Sequence, residues 1–257
     1  MVPSGKMVEI QAQMIKVAIL GAEGKMGSQA VQAVNEAEDM QLVAQLGSSS
    51  SLDEMKDADV MVDLTTPQAS EANVAYAIDH GINCVVGTSG WSAEKQDKLA
   101  AQLQQHDGVG VFIAPNFAVG SVLASSFAAK AAQYFDSVEI IEMHHPQKLD
   151  APSGTAVRTA ELIADSRKQA HRDSMPDATE EDGGARGADI QGVKVHAVRL
   201  QGLVAHQEVL LGNPGEQLVI RHDSFDRASF MPGVLLGIRE VLKRPGLTVG
   251  LDKLLDL

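Results

Sequence analysis

The first part of the chain alternates short apolar runs with stretches in which apolar residues recur at helical spacing. The apolar runs cover residues 15–20, 42–46, 60–64, 84–86 and 109–114. Runs this short and this continuously apolar are typical of strands that are buried on both faces. Helical stretches lie between them, one ending near residue 37 and two covering 68–80 and 92–106. The alternation predicts an α/β fold in which helices cover both faces of a parallel sheet.

The pattern changes after about residue 118. An Ala-rich helix is predicted at 121–135, a strand at 138–145, a helix at 153–167 and a polar, exposed loop at 173–189. Three further runs, at 193–200, 203–211 and 217–222, alternate partly and are joined by short turns, which favours antiparallel pairing of consecutive strands. A helix at 229–243 follows. The pattern after residue 118 predicts an α+β domain with a mixed sheet.

Composition narrows the classes of function. The 257 residues are 44% hydrophobic and 21% charged, which is typical of a soluble globular protein. A net charge of −13 disfavours nucleic acid and acidic membranes as partners. No apolar run reaches the roughly 18–20 residues that span a bilayer. Residues 1–14 lack the apolar core of a signal peptide and are interpreted as an N-terminal extension.

The single cysteine, Cys84, excludes an internal disulfide bond and favours a cytoplasmic location. Because it lies in an apolar run, we expect a buried structural thiol rather than a nucleophile. No metal site is predicted.

A glycine-rich loop, here called the glycine loop, follows the first predicted strand and consists of Gly21, Ala22, Glu23, Gly24, Lys25, Met26 and Gly27. Its G-x-x-G-x-x-G spacing differs from the usual dinucleotide pattern G-x-G-x-x-G, but a buried strand precedes it and a helix follows. We expect Gly21 to allow a sharp turn, Gly24 to admit a pyrophosphate and Gly27 to let the helix pack closely. The helix N-terminus would attract the phosphates. A turn that binds no ligand is the alternative.

The end of the second strand bears on the choice of cofactor. Sites that prefer NAD usually carry Asp or Glu there, bonded to the ribose hydroxyls. Here Gly47 and four serines follow the strand, and Asp53 and Glu54 come several residues late. Serine hydroxyls and Lys25 could bind a 2′-phosphate instead. The cofactor is therefore expected to be NADPH or NADH, with NADPH used at least as well as NADH.

The segment from His144 to Thr155, here called the substrate segment, brings two histidines, a lysine and a predicted helix start together. Imidazole and ammonium groups can transfer protons or attract anions. His144 and His145 face opposite sides of a strand, so they have different roles. Taken singly, a hydrogen-bonded structural histidine and a solvated Lys148 would be the ordinary interpretation.

The helix start strengthens the case for a ligand. Asp150 or Ser153 can cap the helix, Gly154 allows a ligand to approach closely, and Thr155 adds a hydroxyl donor. Free N–H groups at a helix start bind anions. The segment therefore predicts a pocket for a small carboxylated or phosphorylated substrate.

The motif E-M-H-H-x-x-K-x-D-A-P-S-G-T-A at 142–156 resembles the signature of the 4-hydroxy-tetrahydrodipicolinate reductase (dihydrodipicolinate reductase) family. The resemblance covers residues 15–257 and includes the glycine loop, G-T-S-G at 87–90, A-P-N-F at 114–117 and D-R-x-x-F at 226–230. V-A-H-Q-E at 204–208 is most similar to actinobacterial members. The resemblance implies an enzyme of the diaminopimelate route to lysine. Reduced nicotinamide, from NADPH or NADH, delivers hydride to a cyclic unsaturated dicarboxylate, and protonation completes the reduction.

The resemblance also implies roles for single residues and an assembly. His144 and Lys148 would be the acid/base residues, and the substrate would contact His145, Ser153, Gly154 and Thr155. The nicotinamide would be held by two loops, Gly87, Thr88 and Ser89, and Ala114, Pro115, Asn116 and Phe117, with Phe117 as an apolar wall. The family more often has Thr then Phe where this chain has Ser89 and Trp91. A homotetramer, built through the sheet of the second domain, is expected.

The predicted division follows from these motifs. Residues 15–117 and 227–257 would form a Rossmann-like dinucleotide-binding domain, and 118–226 a substrate-binding and oligomerisation domain. Two rivals stay open. Another small-substrate dehydrogenase would not need the Ser-Gly-Thr cradle together with Lys148. A nucleotide-sensing module would have no reason to keep two histidines and a lysine beside an anion site.

Overall fold

A computed structural model of the protein describes residues 14–180 and 183–255. The predicted N-terminal extension lies outside the described residues except for Met14. The chain divides into two compact units, the first comprising the chain up to Ile113 together with Gly237–Thr248 and the second Ala114–Leu236 together with the residues from Val249 on. In the described ranges no helix has the length and apolar character needed to cross a membrane.

The first unit is built on a six-stranded sheet. Its elements are β1 (Ile15–Leu20), α1 (Lys25–Glu36), β2 (Met40–Leu46), β3 (Val60–Asp63), α2 (Pro67–Asp79), β4 (Asn83–Val86), α3 (Ala93–Leu103) and β5 (Gly110–Ile113). The pairs β1–β2, β1–β3, β3–β4 and β4–β5 are all parallel. Strands β3 and β5 are buried at every position, as expected where helices cover both faces. The predicted Rossmann-like parallel sheet is confirmed.

The second unit is built on a mixed five-stranded sheet. Its elements are α4 (Val119–Ala131), β6 (Ser137–His144), α5 (Gly154–Gln169), β7 (Ala188–Ile190), β8 (Val193–Arg199), β9 (Ala205–Asn213) and β10 (Glu216–Ser224). The strand order is β10-β9-β6-β8-β7. Val138 and Ile140 of β6 pack with Ala128 of α4 and Ala160 of α5 in one buried core. The two helices therefore cover one face of this sheet.

The strands at 193–200 and 203–211 run antiparallel, as predicted, but they do not pair with each other. Strand β6 lies between β8 and β9, pairing parallel with β8 and antiparallel with β9. The short glycine-containing loop between β8 and β9 therefore crosses the end of β6 rather than forming a two-strand turn. Strands β9 and β10 do pair antiparallel, as expected. The exposed loop predicted at 173–189 also ends earlier than predicted, because β7 begins at Ala188 and pairs with β8.

The C-terminal segment is shared between the units. Helix α6 (Met231–Val241) and the short strand β11 (Gly246–Val249) follow β10. The helix was predicted, but the strand was not. β11 lies beside β5 at one edge of the first sheet. The unit boundaries thus differ from the predicted 15–117, 118–226 and 227–257. A turn at Leu251–Leu254 packs on α4, which explains why the final residues group with the second unit.

Candidate active site

The glycine loop is held tightly against the end of β2. The backbone N–H groups of Gly21 and Ala22 both donate to the carbonyl of Leu46, at 2.9 and 3.2 Å. Gly21 has a φ of +75°, and a Cβ there would lie 2.4 Å from the Leu64 carbonyl oxygen. A Cβ on Gly27 would lie 1.9 Å from the Gly21 carbonyl oxygen. Only glycine fits at these two positions, because one needs a left-handed turn and the other packs against that turn.

The same loop fits a dinucleotide phosphate. Helix α1 begins at Lys25, inside the loop, and among the described residues no side chain caps its first turn. Its leading N–H groups are therefore available to an anion, and the helix dipole favours negative charge there. Gly24 is exposed and a Cβ on it would meet only the Gly21 carbonyl oxygen, at 3.1 Å. The roles predicted for the three glycines agree with this geometry.

A carboxylate lies where the sequence predicted none. A Cβ on Gly47, directly after β2, would lie 3.4 Å from Oε1 and 3.5 Å from Oε2 of Glu23. The Glu23 side chain thus extends from the glycine loop to the end of β2. The sequence placed Glu23 in the loop but did not connect it with Gly47, because 24 residues separate them.

The loop after β4 is anchored by a buried acid, Asp63, at the end of β3. Its Oδ1 accepts from the backbone N–H and hydroxyl of Thr65, at 3.1 and 2.5 Å, and its Oδ2 accepts from the Ser70 hydroxyl. The Thr88 hydroxyl accepts from the Thr65 N–H at 2.9 Å and donates to the Asp63 carbonyl. The Trp91 indole donates to Ser70 at 3.1 Å. This network sets the shape of the loop at Gly87, Thr88 and Ser89, of which only Ser89 is exposed.

The segment of Ala114, Pro115, Asn116 and Phe117 belongs to the second unit. The Asn116 side chain donates to the Ser121 hydroxyl at 3.0 Å and accepts from the Ala118 N–H at 2.9 Å, so it fixes the turn into α4. Phe117 is buried, and its carbonyl packs against Gly233, where a Cβ would lie 2.0 Å away. The side-chain groups of this segment are thus used largely within the fold, which leaves the backbone as its main candidate contact with a nicotinamide.

Glu142 organises the substrate segment. Its carboxylate is fully buried and accepts from His144 Nδ1 at 2.6 Å, from the Ser153 N–H at 3.0 Å and from both terminal nitrogens of Arg199 at 2.8 Å. Arg199 also donates to the Asp150 carbonyl at 2.6 Å. One carboxylate thereby joins the end of β6, the start of α5 and the end of β8. Burial opposes its charge, but Arg199, His144 and the Ser153 N–H outweigh burial and lower the pKa of Glu142.

His144 is held in one orientation by this contact. Because the ionised Glu142 can only accept, His144 Nδ1 carries the proton and Nε2 points away from the carboxylate. Burial lowers the pKa of His144, and the attraction of Glu142 only partly offsets it, while the nearby Lys148 and Arg199 charges lower it further. His144 is therefore neutral at neutral pH.

The start of α5 is partly occupied by the chain's own carboxylates, because the Ser153 N–H donates to Glu142 and the Gly154 N–H to Asp150. Ser153, not Asp150, caps the helix, because its hydroxyl oxygen accepts from the Ala156 N–H at 3.2 Å. A Cβ on Gly154 would have no heavy atom within 4 Å, so the space beside it is open. Across the strand, His145 Nδ1 is buried and has no hydrogen-bond partner among the described residues. A buried imidazole nitrogen of this kind needs a partner from outside the chain, such as a water molecule or a ligand group.

Lys148 is not a free surface charge. Its ammonium group donates to Asp150 Oδ1 at 2.8 Å, and about a fifth of its side chain, 22%, is exposed. The Lys148 ammonium is the main cause that lowers the pKa of Asp150, and the Gly154 N–H contributes too.

The structure thus brings His144, Lys148, Ser153 and Gly154 together, while the sequence missed Glu142 and Arg199 as the residues that support them. The alternation of β6 could have signalled Glu142, two residues before His144. Arg199 is paired opposite His144 only by the sheet register.

The comparisons with known proteins identify the family. The profile of the family described as "Dihydrodipicolinate reductase, N-terminus" matches residues 15–117, and that of "Dihydrodipicolinate reductase, C-terminus" matches 120–255. The chain belongs to the dihydrodipicolinate reductase family. It is 56% identical to the 4-hydroxy-tetrahydrodipicolinate reductase of Streptomyces coelicolor over 246 residues, which cover 95% of this chain and 98% of the relative. It is 55% identical to that of Cutibacterium acnes over 245 residues, or 95% of this chain and 100% of the relative.

A solved structure shows the same fold. The dipicolinate-bound dihydrodipicolinate reductase from Paenisporosarcina sp. TG-14 superposes with a TM-score of 0.84 at 39% identity, covering 94% of this chain and 99% of that one. The family resemblance, the α/β fold and the enzyme class, an oxidoreductase, are confirmed, and so is the likeness to actinobacterial members. The two rival interpretations are set aside by membership of the dihydrodipicolinate reductase family.

Proposed function

We propose that the protein catalyses the NAD(P)H-dependent reduction of 4-hydroxy-tetrahydrodipicolinate to tetrahydrodipicolinate in the diaminopimelate route to lysine. The observation that carries the proposal is the substrate segment. Within twelve residues it holds open space beside Gly154, an ammonium group and a buried imidazole nitrogen for which the described part of the chain supplies no partner. A small dicarboxylate needs cationic and N–H partners of this kind. Family membership supports the same substrate class.

The residues of this chain would divide the work as follows. One carboxylate would bind beside Gly154, where the Thr155 N–H and the Ser153 and Thr155 hydroxyls can donate. The N–H groups of Ser153, Gly154 and Ala156 are already held by Glu142, Asp150 and the Ser153 hydroxyl oxygen. His145, next to His144 at the end of β6, would contact the substrate, as the family resemblance implies. A reduced nicotinamide dinucleotide, held by its phosphates at the glycine loop, would supply the hydride from its nicotinamide ring. The loops at Gly87, Thr88 and Ser89 and at Ala114, Pro115, Asn116 and Phe117 would orient it through backbone groups.

Lys148 is the better candidate for the proton donor. His144 is neutral at neutral pH, because burial lowers its pKa, and its remaining proton is committed to Glu142. The Lys148 ammonium, paired with Asp150, has protons to give. His144 would then position the substrate or accept a hydrogen bond through Nε2. We further propose that the enzyme acts in the cytoplasm as a homotetramer.

The deciding experiment generates the substrate with dihydrodipicolinate synthase and follows the oxidation of NADPH and NADH by the purified protein. We expect nicotinamide oxidation that depends on both the synthase and this protein. Circular dichroism of the same sample would verify that the protein is folded. A folded protein that oxidises neither nucleotide would overturn the proposed function.

A further inference from the structure

In dinucleotide-binding folds the residues at the end of the second strand contact the ribose of the cofactor. Here the Glu23 side chain lies at the end of β2. Its two carboxylate oxygens lie 3.4 and 3.5 Å from where a Cβ of Gly47 would be. Glu23 is exposed, so its carboxylate can meet a ligand. A glycine at 47 leaves the room that this carboxylate fills. The acid that NAD-binding folds usually carry on the second strand is therefore supplied from the glycine loop.

Two of the four serines expected to bind a 2′-phosphate take part in the local turn. The Ser50 hydroxyl accepts from the Gly47 N–H at 3.2 Å, and the Ser51 hydroxyl accepts from the Asp53 N–H at 3.3 Å. The Ser51 N–H in turn donates to Glu54 at 3.1 Å, which completes a capping box for the short helical turn at Leu52–Met55. These groups shape the turn after β2 and bring no positive charge to it.

We propose that Glu23 selects NADH over NADPH. Its carboxylate accepts hydrogen bonds from the ribose hydroxyls, and it repels a 2′-phosphate through like charge. The inference rests on the proposed function, since it requires a dinucleotide at the glycine loop. It replaces the expectation that NADPH is used at least as well as NADH, which depended on the absence of a carboxylate near Gly47 and on Lys25 and the serine hydroxyls as partners of a 2′-phosphate.

The test measures the dissociation constants of NADH and NADPH by calorimetry, without substrate, for the wild type, Glu23→Gln and Glu23→Lys. The wild type is expected to bind NADH about tenfold or more tightly than NADPH, a ratio that a charged hydrogen bond and one repulsion readily produce. Glu23→Gln should reduce the ratio to near one, and Glu23→Lys should reverse it. Added salt should reduce the wild-type ratio, since it screens the repulsion at this exposed site.

Glu38→Gln is the matched control. Glu38 is also exposed and loses the same charge, but it precedes β2, whose seven residues separate it from Gly47 by roughly 23 Å at about 3.3 Å per residue. The control should keep the wild-type ratio. A wild type that binds NADPH as tightly as NADH, or a Glu23→Gln ratio equal to that of Glu38→Gln, would overturn the role of Glu23 and leave the proposed function standing. Failure of the folded wild type to bind either nucleotide would instead remove the proposed function, and this inference with it.

Discussion

The proposed role of Lys148 as proton donor can be tested directly by substitution. Its ammonium group lies within hydrogen-bond distance of Asp150 and beside the open start of α5. If it donates the proton, Lys148→Ala should lower kcat by about 10²-fold or more, the usual loss for a positioned acid, as measured in the synthase-coupled assay.

Lys194→Ala is a close control for this change. Lys194 is exposed to a similar extent, 27% against 22%, and is also paired with an aspartate, Asp189, at 3.1 Å. It lies on β8 outside the substrate segment, so its removal should leave kcat unchanged. Near-normal turnover of Lys148→Ala would show that another group supplies the proton.

Glu142 acts through other residues rather than on the substrate, so it is a positioning residue. It orients His144, and its negative charge raises the pKa of that imidazole against the larger lowering by burial. Glu142→Gln keeps the shape but removes the charge. The pKa of His144 should therefore fall further below its ordinary value, and an NMR titration of the imidazole would measure the shift.

The same substitution should lower stability, because it leaves the Arg199 charge without its partner. Breaking a buried ion pair costs about 3–5 kcal/mol, which unfolding in urea would detect. Glu139→Gln, three residues earlier on β6, is the control for the His144 titration. Glu139 pairs with Arg186 and His196 and does not contact His144. A His144 pKa that stays constant or rises in Glu142→Gln would contradict the positioning role.

At the scale of elements, local pattern predicted most of the fold. Strands β3 and β5 could be predicted because each is a continuous apolar run that is buried at every position, whereas β11 is only partly buried and its short run gave no such signal. The substrate segment was found because its chemistry is contiguous in the chain. The predictions that failed concern residues far apart in the chain. Strand β6 separates β8 from β9, although the loop between β8 and β9 looks like an ordinary hairpin turn. The contacts of Arg199 with Glu142 and of Glu23 with Gly47 likewise depend on sheet register and loop shape, which one sequence does not display.

The turn between β1 and α1 gives a prediction at this scale. Gly21→Ala places a side chain at φ +75° and 2.4 Å from a carbonyl oxygen, whereas Gly81→Ala has φ +72° and nothing within 4 Å. Left-handed backbone alone costs an alanine about 1–2 kcal/mol. Gly81→Ala should lose about that much unfolding free energy, and Gly21→Ala clearly more, together with nucleotide binding. Equal losses in the two variants would mean that the close approach at Gly21 does not constrain the loop.

At the scale of the whole molecule, the helices of residues 14–180 and 183–255 cover only one face of the second sheet. Helices α4 and α5 pack on that face, around Val138 and Ile140. The bare face includes Val198 on β8 and Val219 on β10, exposed by 37% and 46%. β10 is also an edge strand, with one side of its backbone unpaired. Exposed apolar side chains on a sheet face and a free edge are features that proteins cover by association.

We therefore expect the wild type to have four times the 27.2 kDa chain mass in light scattering after size exclusion. Val219→Asp should lower that mass, because a carboxylate buried at an interface without a partner is strongly unfavourable. It should leave the monomer folded, since position 219 is half exposed within one chain. Leu242→Asp is the control, an exposed leucine, 38%, that follows α6 outside this sheet. If Val219→Asp keeps the wild-type mass, or if Leu242→Asp lowers it equally, the bare face of the second sheet is not the surface that joins the subunits.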